Sequence, residues 1–326
     1  MNSCFAAQYG YGAEFAPPNA KQEQALLRSA EQCLWGNKRP SRSFSIIWTV
    51  LYKGHAYLPL LVTLRACIAL LCCIGHGPVG VRAQYESLWA HVDEGTTTPF
   101  HVLAGVCRRL SWEWTGPFTF DLALAHNQQA TLNLDTSDWP AVAHVVREGG
   151  RWYLLSMTQL AQRYDLDGAS AGIDFARTRQ LLACKSLTFL QRGFLRTILS
   201  GAAFTPSRML RAGKVTAEQA KCVHCDSGAP ETSGHRYWQC PRWDAIRSAL
   251  GLHEFPYDRY PRCLTRCGVV PLACDLEAAT CRRIQLLMVR ITSDTATCPR
   301  AQAQFALAKR QPNDPLPLLQ QLAGEG

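Results

Sequence analysis

Between Lys221 and Pro241 the chain reads KCVHCDSGAPETSGHRYWQCP, and this stretch constrains the fold more than any other. Within it, Cys222, Cys225, His235 and Cys240 make the spacing C-x2-C-x9-H-x4-C. A C-x2-C pair brings two thiolates onto one ion through a tight turn, and H-x4-C supplies two more ligands from a short helix behind it. Four sulfur and nitrogen donors with none left over describe a closed, tetrahedral Zn2+ site of the structural kind. The intervening DSGAPETSG is rich in turn formers, as a loop folding back on an ion must be. Plain packing would have to account for four ligand types so spaced in nineteen residues of the most polar part of the chain. His224 competes with His235, but residues so close in sequence to another ligand rarely ligate with it, and its side chain is expected to point away. Water activation at the metal needs an open coordination position and a nearby acid or base. Glu231 is the one local glutamate, and the deaminase pattern H-x-E with P-C-x-x-C is absent.

Fifteen cysteines in 326 residues raise the question of a disulfide scaffold. The number is odd, the chain is long, and the opening MNSCFAAQYGYGAEF lacks the basic-then-apolar layout of a signal peptide. A reduced, intracellular protein of the nucleus or cytoplasm is expected, in which clustered cysteines mean metal or packing. A second set, Cys263, Cys267, Cys274 and Cys281, has spacings that fit no compact ligand turn and reads as packing, with a second metal or a disulfide as the alternative. The apolar run at 58–74, LPLLVTLRACIALLCCI, is as long as a short membrane span, but carries Pro59 near its start and Arg65 at its centre. An arginine at mid-bilayer costs at least ~2.5 kcal/mol, so a buried helix is expected and a membrane partner is not.

The formal charge of +9 is concentrated: residues 174–247 hold 12 Lys and Arg against 5 Asp and Glu. Such a segment is the footprint of phosphate binding, since neutralised phosphates release counterions; the plain alternative is a solvated basic face. One long helix is expected over 174–200, with Asp174 as N-cap and Gly201 past its end. At ~100° per residue, Leu187, Leu190, Phe194 and Ile198 share one face, with Lys185, Arg192 and Arg196 opposite. A loop and short helix then add Arg208, Arg211 and Lys214, and Thr216 caps the turn leading into the cysteines. Together with Lys221 and Arg236, these basic residues are the expected phosphate contacts. Tyr237 and Trp238 either stack on unpaired bases or cover the small metal core.

The rest of the chain gives organisation more than chemistry. Residues 1–45 read as weakly ordered, with a helix near 21–34 and a basic loop, and 46–81 as an apolar helical region closed by GHGPVG. Residues 82–173 read as a mixed region: helices near 82–92 and 99–111, then a hairpin from PFTFDLAL and ATLNLD across the turn AHNQQ. A helix capped by Asp135, Ser137 or Asp138, with Pro140 in its first turn, is expected to end at Gly149-Gly150, and another to run from Trp152 to about 163. Then come the basic helix with its metal module (174–247), a helical Cys-rich region (248–308) and a fraying tail (309–326). The expected fold is mainly α with a small β-hairpin, an α+β arrangement.

With these residues in view, the chain resembles the C-terminal zinc-binding region of non-LTR (LINE-type) retrotransposon reverse transcriptases. The likeness rests on FLQRGFLRTILSGAAFTPSRMLRAGKV followed by CVHCDSGAPETSGHRYWQCPRW, with Glu231 ahead of the histidine and Pro241 and Trp243 behind the last cysteine. FHVLAGVCRRLSWEWTGPFTF upstream and RCLTRCGVVP downstream look like the flanks of such modules. The likeness covers about 85–272 and is specific in 174–247; Gly234 stands where the family commonly has an acid. The resemblance implies zinc and a nucleic-acid partner, RNA or single-stranded DNA. Polymerase chemistry needs paired aspartates to clamp two Mg2+ ions, and the sequence contains no Asp-Asp pair. Asp165 and Asp167 lie in a loop, and Asp244, Glu254, Asp258, Asp275 and Glu277 are too scattered for an RNase H site. A non-catalytic remnant that binds nucleic acid is therefore expected. A structural zinc module for protein docking, or a decayed element without activity, is the alternative, and a residual polymerase or nuclease a third.

Overall fold

The computed structural model describes residues 42–51, 59–91, 99–123, 129–160 and 163–310, with scattered positions from 19 to 32. Most of the segment 1–45, the hairpin turn at 124–128 and nearly all of the tail 309–326 lie outside the described residues. The chain is mainly helical with one small antiparallel sheet. It divides into two compact units, one running to Ala161 and one from Gln162 onward, with Ser41–Ser43 belonging to the second.

The first unit packs helices α1 (Pro59–Gly75), α2 (Val79–Trp89), α3 (Pro99–Leu110) and α4 (Trp139–Leu160) with strands β1 (Glu113–Gly116), β2 (Thr119–Ala123) and β3 (Gln129–Asn133). The expected hairpin is β2 against β3, with Phe120 opposite Leu132, and β1 adds a third strand on the other edge of β2. The period-2 pattern explains the pleat: Phe120 and Leu122 are buried, while Asp121 between them accepts a 2.6 Å hydrogen bond from Thr131. Helix α1 contributes Leu64, Cys67, Ile68 and Leu71, spaced to share one face, to the core formed with Leu103, Val106, Val142 and Val146. Helix α1, Ile47 and Trp48 thus share a single core with the strands. Among the described residues no helix is long and apolar enough to cross a membrane.

Gly149 and Gly150 do not end a helix. α4 runs through them, because its buried stripe of Val142, Val146, Gly149 and Leu154 needs a gap where the Trp112 indole packs against it. A Cβ on Gly149 would sit 2.3 Å from Trp112 Cζ2. Gly→Ala in a helix interior normally stabilises by ~0.5–1 kcal/mol. Here overpacking reverses the sign, and Gly149→Ala is expected to destabilise the first unit by ~1–3 kcal/mol in urea unfolding, whereas Gly80→Ala, where a Cβ meets nothing within 4 Å, stays within the usual range.

The second unit is built on α10 (Ala278–Thr297), which buries Ile284, Leu287, Met288, Val289 and Ile291. Around it lie α5 (Phe175–Gln180), α6 (Phe189–Leu199), α8 (Asp244–Ala249) and α9 (Arg262–Cys267), with α7 (Pro206–Arg211) and α11 (Pro299–Arg310) completing the unit. The fully buried Gln285 ties three elements together, donating to Thr178 O at 3.1 Å and Gly268 O at 2.8 Å. Gly268, at φ +67°, closes α9: Val269 N–H reaches back to Cys263 O, a turn that only glycine makes without strain.

The single helix expected over 174–200 is two helices. Asp174 does cap α5, accepting from Arg177 N at 2.8 Å, but 181–188 is a run of turns. α6 restarts through a capping box in which Thr188 and Gln191 exchange side chain to backbone hydrogen bonds. The restart shifts the register. Leu187 and Ile198 are buried as expected and Phe194 half-buried, but Leu190 is 63% exposed and Phe189 87% exposed, and Leu195 and Leu199 take the inner positions.

Candidate metal centre

The approach to the cysteines is a chain of local caps. Thr216 Oγ1 accepts from Gln219 N, and Thr216 N donates to Gln219 Oε1 in return, starting the turn Glu218–Ala220. Lys221 then bridges to Pro230, with Cys222 N donating to Ala229 O and Glu231 N to Ala220 O, both at 2.9 Å. Gly228, at φ +66°, lets this loop reverse tightly enough to bring Cys222 and Cys225 to one side. Thr232 Oγ1 accepts from His235 N at 3.0 Å and opens a π turn, His235–Gln239, closed by Cys240 N donating to His235 O at 2.7 Å. The wide turn matters to the spacing. Five residues along an α-helix rotate the side chain by about 140° from its starting side. An i→i+5 turn reduces that angle, so His235 and Cys240 face the same point.

All four ligand atoms lie within 4.8 Å of one another. Cys222 Sγ is 3.9 Å from Cys240 Sγ, and Cys225 Sγ is 3.3 Å from His235 Nε2. A tetrahedron with metal–sulfur bonds of about 2.3 Å has edges of about 3.8 Å, so the group is already close to the size a tetrahedral ion needs. Cys222, His235 and Cys240 are buried and Cys225 half-buried. Burial holds His235 below the ordinary histidine value, which keeps the imidazole neutral, the form that ligates. The hydrogen bond between the two thiols raises Cys222 and lowers Cys240, and a metal ion binds both as thiolates with release of their protons. The Cys3His group can hold a metal ion, and among the described residues it is the one group of three or more His, Cys, Asp or Glu placed to do so. His224 stays outside it, its ring against Trp243 at 5.1 Å between centroids.

Three of the second cysteine set are core, and Cys274 is half-buried. Cys263, Cys267 and Cys281 are buried, and burial pushes the Cys263 thiol up to about 12 and raises Cys267 and Cys281 as well.

Four of the residues expected to touch nucleic acid, Arg236, Tyr237, Trp238 and Arg208, are instead taken up by the fold. Arg236 is 3% exposed and paired with Glu231, itself 1% exposed, while its guanidinium also donates to Phe204 O. Its charge is neutralised and its donors are occupied, so it offers nothing to a phosphate. Tyr237 is fully buried, with its hydroxyl 3.2 Å from Thr292 Oγ1. Trp238 donates from Nε1 to Thr265 O at 2.7 Å and stacks on Tyr257 at 5.4 Å, so its faces are not open to a base. Both aromatics dock the π turn onto the rest of the unit. Arg247, which spacing did not single out, does the same from α8, donating to Tyr237 O and Cys240 O. Its sequence signal was slight: an arginine one helical turn after Asp244, with which it pairs.

The other basic residues are spread over the unit. Lys185, Arg196, Arg211 and Lys221 are exposed, Lys221 pairing with Glu218 at 2.7 Å. Arg192 is half-buried, with Nη2 3.5 Å from Cys184 O, and Lys214 is half-buried. Arg208 is turned inward, donating to Gly201 O and lying 3.7 Å from the Asp165 carboxylate. Asp165 is therefore an internal counter-ion: burial works to raise its pKa, but the Arg163 hydrogen bond and the charges of Arg163 and Arg208 hold it below the usual carboxylate value. No family model, no curated protein and no solved structure matches this chain.

Proposed function

We propose that the second unit is a zinc-nucleated module that binds RNA or single-stranded DNA through its phosphates, a non-catalytic remnant of a retroelement reverse transcriptase. The observation that carries this reading is the mutual approach of Cys222, Cys225, His235 and Cys240 inside the chain's most basic segment. Three thiolates and one imidazole are the donor set that suits Zn2+. The ion is structural, since four protein ligands leave it no position for water, and its part is to hold the 216–243 segment in shape. Lys185, Arg196, Arg211 and Lys221, and with them Arg192 and Lys214, supply phosphate contacts; Arg208, Arg236, Tyr237 and Trp238 do not. The retroelement ancestry rests on the sequence resemblance alone.

The test is binding of the metal-loaded full chain to a fluorescent oligo(U) or oligo(dT) of about twenty nucleotides across a salt series. Each phosphate neutralised on a single strand contributes about 0.7 to the slope of log K against log salt, so six contacts give a slope near −4. A flat response overturns the reading. A second reading, a zinc module that docks on protein, draws support from Phe189 and Leu190, large apolar side chains exposed at the start of α6. It expects Arg192→Ala and Arg196→Ala to leave oligonucleotide binding unchanged.

A further inference from the structure

Two arginines outside the segment singled out by its charge are better placed for a phosphate than several inside it. Arg262 and Arg266 stand one turn apart on α9, so they share a face. Both lie over the ring of Tyr164, with guanidinium carbons 3.7 and 4.8 Å from its centroid, and Arg266 Nη2 is 3.3 Å from the Tyr164 hydroxyl. Neither makes an ion pair with a carboxylate among the described residues. Two like charges at this spacing repel, which a fold tolerates more readily when an anion comes to them. Tyr164 is 49% exposed, so the cluster opens to solvent. A guanidinium over an aromatic ring still offers edge N–H groups to phosphate oxygens, those of Arg262 and the ones on Arg266 that do not reach the Tyr164 hydroxyl.

The platform is fixed. The turn carrying the ring, Tyr164–Leu166, is anchored by the buried Leu166 and by Cys267 Sγ donating to Asp165 O at 3.3 Å, and Cys263 N donates to Asp167 O just after it. The nearest acid in sequence, Asp165, is bound to Arg163 and Arg208. The cluster also adjoins the metal module: a Cβ on Gly234, next to ligand His235, would lie 3.6 Å from Arg266 Nη2.

We infer that Arg262 and Arg266, presented on Tyr164, form a phosphate-binding cluster for the backbone of a single nucleic-acid strand. This rests on the function proposed above and extends its contact surface beyond 174–247. The test uses the full chain loaded with zinc, the labelled oligo(dT) and the same salt series. Arg262→Gln with Arg266→Gln is expected to lower the magnitude of the slope by about 1.4, two single-strand phosphates, and to weaken binding roughly tenfold near 50 mM salt. Gly234→Asp places a carboxylate beside Arg266 and is expected to lower it by about 0.7, while Gly234→Ala, the same backbone without the charge, binds as wild type. Gly234 has ordinary right-handed helical torsions, so both replacements fit its backbone. Zinc content equal to wild type in every variant shows that the fold is intact. If wild type binds with a steep slope and the variants match it, the cluster is overturned while the module stands. If wild type shows no salt-dependent binding, both fall.

Discussion

Replacing Cys240 with serine is expected to release the metal and melt the 216–243 segment, the largest single effect any side chain in the second unit produces. Cys240 closes the π turn through its N–H, accepts Arg247 at its carbonyl and offers its sulfur beside Cys222. A serine hydroxyl keeps the backbone bonds but is a poor ligand for a borderline-soft ion. Structural zinc in finger peptides contributes ~10–16 kcal/mol of apparent binding free energy at neutral pH, all of it folding free energy where no site exists in the unfolded chain. The loss here is smaller, because α10 carries a core of its own, on which Tyr237 docks, and Trp238 is held by α9. Metal analysis should find near-stoichiometric zinc in wild type and little in Cys240→Ser, and the melting temperature of the second unit should fall by ~10 °C or more. Treating wild type with a strong chelator should reproduce the change. A wild-type protein without metal, melting together with the mutant, would remove the zinc reading.

The ligand set was legible because coordination imposes spacing: C-x2-C and H-x4-C are patterns a tight turn and a short helix must obey. The β2–β3 hairpin and the Asp174 cap were legible for the same reason, each being a local rule written in adjacent residues. Part of what escaped the sequence was decided at long range. Gly149-Gly150 reads as a helix end until Trp112, 37 positions earlier, fills the gap the glycines leave. The break at 181–188 was locally encoded, since Thr188 and Gln191 make a capping box, but the apolar periodicity across it favoured one continuous helix. Charge misled most. Arg208, Arg236 and Arg247 count towards the basic segment, yet each is spent on internal carbonyls and a carboxylate. Arg262 and Arg266, just beyond it, share one aromatic ring and make no ion pair with a carboxylate among the described residues.

Arg236→Ala separates a structural from a binding role with the second-largest expected effect. The guanidinium gives Nε and Nη2 to Glu231 Oε1 and Nη1 to Phe204 O, joining the turn before His235 to the 201–205 segment. Removing it strands a carboxylate that is 1% exposed, whose Oε1 loses both guanidinium donors and whose Oε2 has no hydrogen-bond partner. Breaking such a buried pair from one side costs ~3–5 kcal/mol, whereas losing an exposed phosphate contact leaves stability within about 0.5 kcal/mol. Denaturant unfolding of the zinc-loaded protein should therefore show a large drop for Arg236→Ala. Arg236→Lys should recover only part of it, since an ammonium cannot hold the carboxylate by two donors and reach the carbonyl as well. Replacing both partners with apolar residues, Glu231→Leu with Arg236→Met, should cost less than either single loss, because no charge is left buried alone. Additive losses in the double variant would mean that the two side chains act separately. A small loss of stability with a shallower salt slope would return Arg236 to the phosphate-binding surface.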